Sequence, residues 1–107
     1  MEGMFQTCEN IKELDLSSFN TQNVIDMNHM FYNCNKLKSL NISNFDTKNV
    51  TDMNHMFTYC EKLDNLDLST FNVDKVTNIS KIFAGCNKNV INSNKSKFKQ
   101  FNYNDMI

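Results

Sequence analysis

The apolar residues of this chain recur at a fixed interval. Moving Met30 to Met53 (MFYNCNKLKSLNISNFDTKNVTDM) forward by 26 residues lays Met30 on Met56, Phe31 on Phe57, Cys34 on Cys60, Leu40 on Leu66, Phe45 on Phe71 and Val50 on Val76. Moving it back reaches Met4, Phe5, Cys8, Leu14 and Phe19, so the unit occurs about three and a half times. A period of this length, kept by nearly every apolar position, marks an array in which no unit has a core until a neighbour stacks on it.

Each unit combines two shorter periods. Leu40 and Ile42 alternate with polar neighbours, the two-residue beat of a strand buried on one face, and matching strands are expected near Leu14 and Leu66. From Val50 the spacing lengthens. Val50, Met53, Met56, Phe57 and Cys60 would share one face of a helix, with Asn49 as its N-cap and Asp52 in its first turn, and Val24 to Cys34 repeats the pattern. Phe19, Phe45 and Phe71 should turn inward where the chain reverses and stack as a spine of rings. The expectation is an α/β solenoid with one short parallel strand plus one helix per 26-residue repeat.

The array is expected to span residues 1–86. After Cys86 the pattern decays, and Val90 and Phe98 rejoin it only if one residue is inserted. Residues 87–107 therefore read as a degenerate C-terminal cap or tail. At the other end Met4, Phe5, Leu14 and Leu16 have a repeat on one side only, so self-association through the open N-terminal edge is expected.

Composition narrows the partners. Eleven Lys/Arg against 12 Asp/Glu give a net charge of −1, with the signs interspersed along the repeats, so there is no basic stripe suited to nucleic acid. No apolar run suits a membrane span, and the first residues lack the features of a signal peptide. Cys8, Cys34, Cys60 and Cys86 occupy one site of successive units and are expected as a column of buried free thiols. A disulfide between neighbours stays geometrically open, since stacked chains lie about 5 Å apart. Zinc spacing of the Cys-x₂₋₄-Cys kind is absent. His29 and His55 are equivalent residues on a polar face; two imidazoles with no matching carboxylate make a poor metal site, and the third unit has Lys81 there. Four Asn-x-Ser/Thr matches, at Asn41, Asn49, Asn78 and Asn94, are expected by chance in so Asn-rich a chain and carry meaning only in a secreting eukaryote. With no nucleophile elbow or Gly-rich phosphate loop, no enzyme, metal or cofactor is expected.

The run M-F-x-x-C-x-x-L-x-x-L-x-[LI]-S-x-F-[DN]-x-x-x-V-x-x-M, complete from Met30 and met from Met4 and Met56 with Ile11 for the first Leu and Ile79 for the last Met, closely resembles the repeat of the BspA-like leucine-rich-repeat surface proteins of bacteria, in the form abundant in mycoplasmas. The resemblance covers Met1 to about Cys86. It implies a leucine-rich-repeat solenoid displayed at the cell surface or secreted, and engaged in adhesion. The expected function is a non-enzymatic protein-binding module whose partner is a protein or host surface component. The strand face would be the recognition surface, made by Lys12, Glu13, Asp15, Ser17, Lys38, Ser39, Asn41, Ser43, Asp64, Asn65, Asp67 and Ser69. The alternative is a structural spacer or intracellular scaffold with no ligand of its own.

Overall fold

In a computed structural model that places all 107 residues, the chain winds so that each 26-residue segment lies beside the next. The direct sign is in the backbone hydrogen bonds. Met27, His29, Phe31 and Asn33 donate to the carbonyls of Asp52, Asn54, Met56 and Thr58, and Met53, His55, Phe57 and Tyr59 donate to Asn78, Ser80, Ile82 and Ala84. Gly3, Phe5 and Thr7 donate likewise to Asn28, Met30 and Tyr32. On another side of each coil, β1 (Glu13–Asp15) pairs in parallel with β2 (Ser39–Asn41), with Leu14 opposite Leu40. Parallel pairing follows because every coil runs the same way round.

No third strand forms beside β2. Asp64 still donates to the Lys38 carbonyl at 3.1 Å, but Asn65 sits at φ 53°. A left-handed residue turns the backbone out of the extended conformation that a ladder needs, and Asn is among the few non-glycine residues that adopt it readily.

The segments Val24 to Cys34 and Val50 to Cys60, expected as helices, contain none. They are runs of tight turns. Met30 donates to Met27, Tyr32 to His29 and Cys34 to Phe31, while the residues between them donate to the next coil. His29 (φ 55°) and Asn33 (φ 59°) occupy the third place of four-residue turns, where a type II turn needs positive φ. His55, Tyr59, Lys81 and Gly85 repeat this in the later coils, as Gly3 and Thr7 do in the first. A left-handed residue every fourth position stops a helix from propagating.

Three further corners are held by side chains. Asp15, Asn41 and Asp67 each accept the N–H two residues on, as do Asn20, Asp46 and Asn72 at the second corner and Asp26, Asp52 and Asn78 at the third. These Asx turns explain the abundance of Asn and Asp, because each replaces a backbone hydrogen bond at a bend.

The core is a set of columns. Phe5, Phe31, Phe57 and Phe83 stack nearly parallel, with ring centroids 5.7, 5.6 and 6.2 Å apart, and Phe98 meets Phe83 edge-on. The ring spine is therefore this column rather than Phe19, Phe45 and Phe71. Phe45 and Phe71 are buried, but no ring stack joins the three: Phe19 meets the Phe5 ring instead, tilted at 6.1 Å. Inside the second corner the Thr21 hydroxyl binds both the carbonyl and the N–H of Asp46, and Thr47 does the same with Asn72. The third coil has Val73 at that place.

Residues 87–107 lie over the third coil. They form α1 (Lys88–Asn94), capped by the Asn87 side chain, then a 3₁₀ turn (Lys95–Phe98) and the short α2 (Tyr103–Met106). Asp105 and Met106 carbonyls receive the N–H groups of Lys81 and Phe83, as a further coil would. Asn94, 5% exposed, accepts from the Leu68 N–H and donates to the Leu66 carbonyl and to Val90. One side-chain amide thus satisfies an edge that would otherwise be buried and unpaired.

Candidate functional site

The twelve residues singled out in the sequence share one face. All are exposed except Ser17, which is half-buried. Register sets Glu13 beside Ser39 and Asp15 beside Asn41, and the Asp64 N–H bond to Lys38 brings the third row alongside. The rows read Lys12, Lys38, Asp64; Glu13, Ser39, Asn65; Asp15, Asn41, Asp67; and Ser17, Ser43, Ser69. Glu13 and Asp15 lie on β1 and Ser39 and Asn41 on β2, with Lys12 and Lys38 just before the strands, whereas Asp64, Asn65, Asp67 and Ser69 lie on irregular backbone.

Part of this face is committed to the fold. Asp15 accepts the Ser17 N–H at 2.9 Å, and hydrogen bonds from the Ser17 hydroxyl and N–H hold its carboxyl below the usual range. Asp67 is lowered by the Ser69 N–H and hydroxyl in turn. Asn41 takes the Ser43 N–H at 3.1 Å and its hydroxyl at 2.8 Å. The Asp/Asn and Ser columns are therefore partly satisfied within each coil. The Lys12, Glu13, Lys38, Ser39 and Asp64 side chains take part in no intramolecular hydrogen bond or ion pair apart from the Asp64 bond to its neighbour's N–H, and are available to a ligand.

The face continues into a groove that the sequence pattern did not announce. Asp67, Leu68 and Ser69 form one wall, and Ser93, Asn94, Ser96, Lys97 and Lys99 the other, with the Lys97 ammonium on the Ser69 carbonyl at 3.0 Å. The available signal was the alternating lysines of Lys95, Lys97 and Lys99 in a stretch that lacks the leucine columns.

On the turn side, His29 and His55 stack at 4.7 Å with the Tyr32 ring against both, and Tyr59 meets Tyr32 edge-on. The Thr58 hydroxyl donates to the Lys81 carbonyl, so it receives the proton of His55 Nδ1. Burial, then His29 and Lys81, lowers the pKa of His55. No group of three or more His, Cys, Asp or Glu side chains converges as a metal-binding set. The four cysteines are free thiols, and those of Cys34, Cys60 and Cys86 point at the carbonyls of Phe5, Phe31 and Phe57. Burial pushes Cys34 up to about 11 and Cys86 to about 12, and raises Cys60 further.

No helix is long and apolar enough to cross a membrane. No curated protein and no solved structure is similar enough to this chain to count as a match. A family model does match it, over residues 1–107, so the repeats and the segment that covers them go together: the chain belongs to the family described as "Mycoplasma protein of unknown function, DUF285".

Proposed function

We propose that this chain is a non-enzymatic protein-binding module of the leucine-rich-repeat kind, similar to the BspA-like surface proteins, and that it serves adhesion at the cell surface. The observation that carries the reading is the exposed face on which Lys12, Lys38 and Asp64 lie beside Glu13, Ser39 and Asn65. Rows of unlike side chains on a rigid backbone can recognise an extended protein surface, as the strand faces of repeat arrays commonly do. In place of the helix of that repeat type stands a run of turns, on another side of the coil from β1 and β2.

A second reading is supported by the Asx turns. Asp15, Asn41 and Asp67 use their side chains to hold their own corners, as residues of a spacer or intracellular scaffold without a ligand would. The test that separates the two uses the labelled chain and a Lys12→Ser/Glu13→Ser/Lys38→Ser variant, applied to host-cell monolayers and to protein-coated surfaces. The adhesive reading expects saturable binding that the variant loses at least tenfold while melting at the same temperature. Binding by neither protein overturns it in favour of the spacer, and equal binding by both overturns this face as the recognition surface.

A further inference from the structure

The near-zero net charge conceals a strong polarity along the stack. Residues 1–26 carry five carboxylates against Lys12 alone, residues 27–86 carry six charges of each sign, and residues 87–107 carry four lysines against Asp105. The two ends of the molecule are therefore oppositely charged, and the middle is balanced.

The same two ends hold the exposed apolar surface. Met4 is 54% exposed and Ile25 60%, whereas Met30, the equivalent of Met4 one coil on, is fully buried. Phe5, Cys8 and Phe19 are only partly covered, while Phe31, Cys34 and Phe45 are buried. At the other end Ile91, Tyr103 and Ile107 line a hollow flanked by Lys88, and Lys95 lies over the Tyr103 ring at 5.6 Å. Of the five large apolar side chains that are exposed, Tyr59 alone belongs to neither end.

We infer that the acidic, apolar N-terminal face of one molecule docks on the basic, apolar C-terminal face of a second copy. Charge complementarity selects this arrangement. Two N-terminal faces brought together by a two-fold axis would set Glu2, Glu9 and Glu13 of one molecule against those of the other, and like charges there repel. A head-to-tail contact instead matches carboxylates with lysines and covers both apolar patches at once. Such a contact is heterologous, so each added molecule presents the same free face again and growth is open-ended. It is also weakened by salt, because the charged rim stays near solvent.

Sedimentation velocity from micromolar to near-millimolar protein, at low and high salt, tests this. The expected result is a sedimentation coefficient that climbs past that of a dimer at low salt and returns to the monomer value at high salt. A Lys88→Glu/Lys95→Glu variant and a Glu2→Lys/Glu9→Lys variant should each stay monomeric with unchanged circular dichroism, and mixing them should restore growth. A protein monomeric under all conditions overturns the inference, as does a dimer that stops at two and ignores salt. A mixture of the two variants that remains monomeric also overturns it.

Discussion

His55 shows how much one side chain's surroundings decide. Its ring lies between His29 and the Lys81 column, partly out of water, and its pKa in the folded protein falls below the usual 6.5. As pH drops below that value the unfolded chain takes up the proton first, so the stability present at neutral pH is lost on acidification through the lowered folded value. The melting temperature should fall between pH 7.5 and pH 5 in a measured series, and fall less in His55→Asn, a residue that tolerates the same positive φ. The cysteines are read the same way. Cys34, Cys60 and Cys86 are held protonated by burial, so a thiol reagent at pH 8 should label the half-exposed Cys8 first, the half-exposed Cys86 more slowly, and Cys34 and Cys60 only on unfolding. Labelling of all four at one rate in the native protein would show that the column is open.

At the scale of the element, the hydrophobic spacing identified the buried residues of the turn segments but assigned the wrong backbone. Met27, Met30, Phe31 and Cys34 are all buried, as the helix would have buried them. A chain of four-residue turns returns to the same face every three or four residues, so its apolar spacing matches that of a helix. What separates the two is where the N–H groups go, alternately to the local turn and to the next coil. The sequence did contain a sign of this. The chain has only two glycines, Gly3 and Gly85, and they fall on the two left-handed columns, in line with His29 and Asn33. The second corner offers a test of coil-to-coil bonding. Thr47→Val removes the partner of the Asn72 N–H and carbonyl, and should cost about 1–3 kcal/mol in urea denaturation. Val73→Thr, where the Gln100 side chain already meets the coil edge at the Val73 carbonyl, should bring no gain.

For the whole molecule, the decisive residue is one the repeat pattern did not mark. Asn94→Ala leaves the Leu68 N–H and the Leu66 carbonyl buried without partners, and should cost about 2–4 kcal/mol by chemical denaturation, with Asn94→Leu no better. A loss under about 0.5 kcal/mol, the range of an ordinary surface change, would mean that water reaches this edge. By itself the sequence determined the 26-residue period, the residues that face inward, the thiol column and the exposed polar rows from Lys12 to Ser69. Each of these follows from which side chains avoid water, and that preference is written one residue at a time. Only the tertiary structure decided that the turn segments are not helices, that Asn65 ends the sheet at two strands, and that Asn94 and the Asp105 and Met106 carbonyls complete the last coil. Those outcomes depend on where backbone N–H and carbonyl groups find partners about 25 residues away, and side-chain spacing does not encode which partner is in reach.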